Sequence, residues 1–162
     1  MAMFLILHIM GAVLALGTGL AAHRWPNGTT THRWIGKGYL LGWVTLFSTG
    51  IVISRAGVSA PDVLNGLGMV SATFAYSVIF FRKRLGRRWL RLHYQWMTQS
   101  YAFVCVATLN QIIARSGIEI TFWIFAAEVS LPFFILPYVG RKLDQRYGFA
   151  PKSKPLGNTA SN

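Results

Sequence analysis

The chain has 162 residues, enough for a single domain. It is 53% hydrophobic and only 12% charged, well below the share of charge a soluble domain carries, so most of its surface is expected to face something other than water. Its 16 Lys and Arg against 4 Asp and Glu give a net charge of +12. Those cations sit between long apolar runs, which excludes nucleic acid as the expected partner and points to a lipid bilayer and its anionic headgroups.

The first apolar run covers residues 3–22 and has no Lys or Arg before it. It is long enough to cross a bilayer and lacks the basic leader of a signal peptide, so it is expected to be retained as a helix. His8 lies on its small-residue face, followed at helical spacing by Gly11, Ala12, Ala15, Gly19 and Ala22. Small residues let helices approach closely, so His8 should point into a bundle. Pro26-Asn27-Gly28 ends this segment.

The second run, 34–53, is preceded by His32, and His32, Gly36, Tyr39 and Trp43 share one helical face. Gly38 and Gly42 form a G-x-x-x-G step suited to close packing against a neighbouring helix. The third run, 63–81, is the least apolar, with Asn65, Gly66, Gly68, Ser71 and Thr73 near its start. A basic loop follows, with Arg82, Lys83, Arg84, Arg87, Arg88 and Arg91 expected at lipid headgroups. The fourth run, 94–114, places His93, Met97, Ser100 and Val104 on one face and holds the single cysteine, Cys105, which leaves no disulfide framework and no thiolate metal cluster. The fifth, 120–139, carries Glu128 near its middle and Pro132 four residues on, where a kink is expected. Residues 151–162 are polar and are expected to form a disordered tail.

The fold class expected is therefore all-α: a polytopic membrane helix bundle of five transmembrane helices, with residues 1–150 as one domain. Placing the basic loop in the cytoplasm gathers 14 of the 16 cations on that side and leaves Arg55 and Arg115 outside. The expected orientation is N-terminus out and C-terminus in, in a plasma (inner) membrane. Trp25, Trp34, Trp89, Trp96 and Tyr138 would flank the inner ends as an aromatic belt.

Polar groups inside lipid are costly and so are the candidates for function. They fall into two layers. The cytoplasmic layer holds His32 and His93, which could be axial ligands to a haem b, or ligands of another metal with Met97 or His23 as a third. On spacing alone the plainer reading is that both are interfacial residues at helix starts, hydrogen-bonded to loops and headgroups. The outer layer holds His8 and Glu128, at similar depth, as a proton-relay or structural polar pair. No Walker loop, dinucleotide fingerprint, H-E-x-x-H or nucleophile elbow occurs in the sequence.

Read in order, His8-x-x-Gly11, His32-Arg33-x-x-Gly36-x-x-Tyr39 and His93-x-x-Trp96-Met97-x-x-Ser100-Tyr101-Ala102 resemble a family of small bacterial multi-pass membrane proteins of unknown function. The likeness covers residues 4–114, and the resemblance implies that His8, His32 and His93 form the working part. Where that family carries an Arg after the S-Y-A element, this chain reads Thr108, Leu109 and Asn110. The chain is also loosely similar to four-helix transmembrane cytochromes b. Leu46 and Ala107 stand where a second pair of histidines would be needed, so that likeness implies one haem at most. Three functions follow as expectations: a redox protein holding haem b or a metal and exchanging electrons with a quinone or a membrane-complex partner, a small transporter or proton-relay protein, or a non-catalytic accessory or assembly subunit. A homo-oligomer is compatible with each.

Overall fold

A computed structural model describes residues 1–54, 60–119 and 121–149, apart from the side chains at positions 60, 132, 133 and 135. Arg55, Lys152, Lys154 and the expected disorder of the 151–162 tail lie outside the described residues, as does any packing of the Pro132 side chain. The described chain is helical, with α1 (Ala2–Arg24), α2 (Thr30–Ile53), α3 (Ala60–Ser77), a short α4 (Arg82–Leu85), α5 (Arg88–Arg115) and α6 (Phe122–Arg146). No strand occurs among the described residues.

Each apolar run lies on its own helix, but the helices do not stop where the apolar residues do. Helix α5 begins at Arg88 instead of 94, and α6 continues to Arg146 instead of 139. Charged residues bar a segment from hydrocarbon without breaking its backbone hydrogen bonds, so helices extend past the apolar stretch. Helix α3 ends earlier than expected, at Ser77. Residues 78–82 then tighten into turns, with Ile79 N–H donating to Tyr76 C=O (3.2 Å) and Phe80 N–H to Ser77 C=O (3.0 Å).

The boundaries have local causes. Trp25 is extended (φ −79°, ψ 146°), as the residue before Pro26 must be, and α1 stops there. Thr29 then caps α2, its hydroxyl oxygen accepting from the His32 N–H (3.1 Å), which satisfies one of the helix's unpaired donors. Gly86 separates α4 from α5 at φ +52°, a left-handed conformation that a side chain would strain.

Helix α1 packs along α2, α2 against α3, α3 along α5, and α5 back against α1. The connections are short, so successive helices run antiparallel and these four close a ring. Helix α6 lies outside it, against α5. The α1–α2 seam is very close: a Cβ on Gly42 would lie 2.8 Å from the Ala15 nitrogen, and one on Gly11 would lie 2.9 Å from the Leu46 nitrogen. The G-x-x-x-G step of α2 thus packs on the small-residue face of α1, the contact its sequence predicts. Trp43 fills the ring centre with Tyr39, Leu64, Ala72, Phe103 and Val104 around it.

Three helices, α1, α2 and α6, are long and apolar enough to cross a membrane. Helices α3 and α5, also expected to span, fall short of that apolarity because they direct polar residues inward. Asn65 and Ser71 on α3, and Ser100 and Asn110 on α5, are all buried. The outward face of α1 is the converse, with Met3, Ile6, Met10 and Val13 each about 60% exposed. Such a continuous apolar face needs lipid or protein to cover it.

Candidate functional site

The motif residues of three helices meet at the end of the ring that carries the basic loop. A Cβ on Gly19 of α1 would strike the Tyr101 ring and lie 3.0 Å from Tyr39, so only a glycine lets the two rings close over α1 here. Tyr39 and Ser100, both buried, share a hydrogen bond between α2 and α5. Thus the Tyr of the His32 motif and the Ser-Tyr pair of the His93 motif form one junction.

His23 ties α1 to α5 beside this junction. Its Nδ1–H donates to the Gly19 carbonyl (2.8 Å), which leaves Nε2 to accept from the Thr98 hydroxyl (3.3 Å). Its ring also lies 5.3 Å from that of Tyr101. Both ring nitrogens are therefore occupied, and the geometry makes His23 a structural clamp before it is a third ligand.

His93 is held differently. Its Nδ1 lies 2.8 Å from the Ala75 carbonyl of α3. A carbonyl can only accept, so Nδ1 carries the proton and Nε2 keeps its lone pair. His32 and His93 each stand seven residues before the Tyr39–Ser100 bond, on helices that both start at this end, so they lie at one level, and the buried His32 Nδ1 has no hydrogen-bond partner. The Thr29 cap holds the backbone of His32 at the helix start. Two imidazoles at one level thus have ring nitrogens free of protein partners. Met97, one turn beyond His93, packs against the hydrophobic core.

Fit to a bound group can be judged from these donors. A backbone carbonyl on Nδ1–H is how a ligand histidine is commonly oriented, and the partnerless His32 nitrogen is a buried polar atom that a ligand would satisfy. Two imidazoles would suffice to hold a haem. A metal ion alone would need more, and among the described residues no group of three or more His, Cys, Asp or Glu is arranged to hold one.

His8 lies far from this end. Its bonding partner Thr49 is seventeen positions from His32 on α2, roughly 25 Å along the axis. The Thr49 hydroxyl donates to the Thr45 carbonyl (2.6 Å), so His8 Nδ1–H donates to Thr49 Oγ1 (3.1 Å). As its small-residue face predicts, His8 is turned toward the bundle, where it and Asn65 flank Gly50. Glu128 is also buried, but Asn110 Nδ2 donates to its Oε2 (2.7 Å). His8 and Glu128 share a depth without sharing a hydrogen bond, because α1 sits in the ring and α6 outside it.

All six cations expected at headgroups are exposed. Two of them also reach the end of α6: Arg91 pairs with Asp144 (2.9 Å), and Arg87 Nη2 donates to the Tyr147 carbonyl (3.3 Å). Tyr94 donates to the second oxygen of Asp144, and its ring stacks on Tyr147. Sequence reasoning missed this latch. Its available signal was Asp144 itself, one of four acidic residues, set among the cations of the last helix.

No family model, curated protein or solved structure matches this chain. The three apolar helices are compatible with a membrane protein.

Proposed function

We propose that this protein is a five-span membrane protein, N-terminus out and C-terminus in, whose His32–His93 pair holds a haem b and serves electron transfer. The observation that carries this reading is the state of the two rings: His93 has its proton committed to the Ala75 carbonyl, and His32, at the same level on α2, has a buried nitrogen without a partner. The 14-to-2 split of cations supports the orientation, which would put the pair at the cytoplasmic face. The resemblance of the His32 and His93 motifs to a multi-pass membrane family supports the choice of residues.

Bound there, a haem would supply one-electron chemistry. The chain's own contribution is positional. Ala75 keeps the His93 proton off Nε2, Thr29 sets the start of α2, and the Tyr39–Ser100 bond keeps α2 and α5 in register. Helices at fixed spacing hold two ligand rings with little rearrangement between oxidation states.

The purified protein should be coloured, with a Soret band that shifts on dithionite reduction if haem is bound. Both His32→Ala and His93→Ala should lose the cofactor while remaining helical and monodisperse, and His23→Ala should retain it. A colourless preparation that also lacks iron, copper and zinc by elemental analysis would overturn the reading. A folded His93→Ala variant with full cofactor content would remove the pairing.

A further inference from the structure

Helices α5 and α6 are pinned at two levels, by Asn110–Glu128 at one end and Arg91–Asp144 at the other. These levels are nineteen residues apart on α5, roughly 28 Å along its axis. Between them, toward the basic end, the helices part to leave a half-open groove of ≈ 450 Å³. Gly140 of α6 helps open it: a Cβ built there would meet nothing within 4 Å. The groove's lining changes along its length. Arg91, Arg141 and Asp144 stand at the basic mouth, Gln95 and Gln99 continue down α5, and Leu136 lines the far end with Pro137.

The mouth carries a net positive charge. Both Asp144 oxygens are already engaged, one by Arg91 and one by the Tyr94 hydroxyl. That carboxylate therefore orients Arg91 and does not stand bare toward the groove. Arg141 has no carboxylate partner among the described residues. A cation at the mouth, carboxamides below it and apolar side chains deeper repeat the order of phosphate, ester and acyl chain in a phospholipid. Inorganic phosphate would match the mouth alone.

We propose that this groove binds an anionic phospholipid, with its phosphate on Arg141 and Arg91, its ester region against Gln95 and Gln99, and an acyl chain leaving past Leu136. This is a discrete site on the α5–α6 seam, separate from general headgroup contact by the 82–91 loop. It is independent of the histidines, so His93→Ala should leave it intact.

Native mass spectrometry of the full chain in mild detergent, titrated with phosphatidylglycerol or phosphatidylcholine, tests the site. Phosphatidylglycerol should be retained in preference. Arg141→Gln should weaken its binding about fivefold, the effect of one arginine near an anionic lipid surface. The double variant Arg82→Gln/Arg84→Gln should bind as wild type. Equal retention of the two lipids would overturn the proposal, as would a loss in the double variant equal to that in Arg141→Gln. Displacement of the lipid by millimolar inorganic phosphate would also overturn it and identify a soluble phosphate as the ligand.

Discussion

At the scale of single residues, the polar groups of this chain divide by whether a partner is present. Asn110 and Glu128 are buried together, and Glu128 Oε1 has no partner. Removing the one donor that reaches the carboxyl should therefore be costly, because a buried acceptor would lose its compensation. Asn110→Ala is expected to destabilise the protein by about 1–3 kcal/mol, read as a lower melting temperature in detergent. Glu128→Gln keeps an oxygen that can accept from Asn110 and should be milder. Equal losses in the two variants would mean that the carboxylate's charge, and not its hydrogen bond, is what the site requires.

Some of these residues could be read from the sequence and others could not. The small-residue spacing after His8 was enough to turn it inward, because helical periodicity alone decides which face can approach a neighbour. Its partner could not be read. Thr49 is forty-one positions away, and nothing in the sequence distinguishes it from Ser48 or Thr45. The same holds for Ala75, whose contribution to His93 is a backbone carbonyl with no side-chain signature.

At the scale of elements, the α1–α2 pair depends on absent side chains. In lipid the hydrophobic effect does not drive helices together, so close van der Waals packing must do so. Gly42 lies where a Cβ would meet the backbone of Ala15 at 2.8 Å and of Gly11 at 3.0 Å, and backbone cannot swing aside. Gly42→Val should force the helices apart and cost about 1–3 kcal/mol, seen as a lower melting temperature. Gly17→Val, at a position with nothing within 4 Å of a built Cβ, should leave stability nearly unchanged. Equal tolerance at both positions would count against this seam.

At the scale of the whole molecule, the ring of α1, α2, α3 and α5 with α6 outside explains why apolarity is uneven. Helices whose polar residues face the ring can be less apolar and still be shielded, whereas α6, outside the ring, leaves Phe122, Trp123, Leu131 and Phe134 exposed. The proposed orientation makes a direct prediction. Green fluorescent protein fused at the C-terminus should fluoresce, since it folds in the cytoplasm, and alkaline phosphatase inserted between residues 54 and 60 should be active outside. A dark C-terminal fusion with an active phosphatase at the same end would reverse the topology.

The number and approximate position of the long helices were determined by the sequence itself, because runs of apolar residues and the turn chemistry between them are local properties. So was the gathering of cations at one end, which is a matter of counting along the chain. Tertiary structure alone decided which helices touch: that α6 joins α5 outside the ring, that Glu128 therefore meets Asn110 and not His8, and that Asp144 latches Arg91. Depth can be read from sequence position, since each helical residue advances the chain by a fixed rise. Azimuth around the bundle cannot, since it depends on how every helix packs at once. His32 and His93 share a depth on helices that are hydrogen-bonded to each other; His8 and Glu128 share only depth.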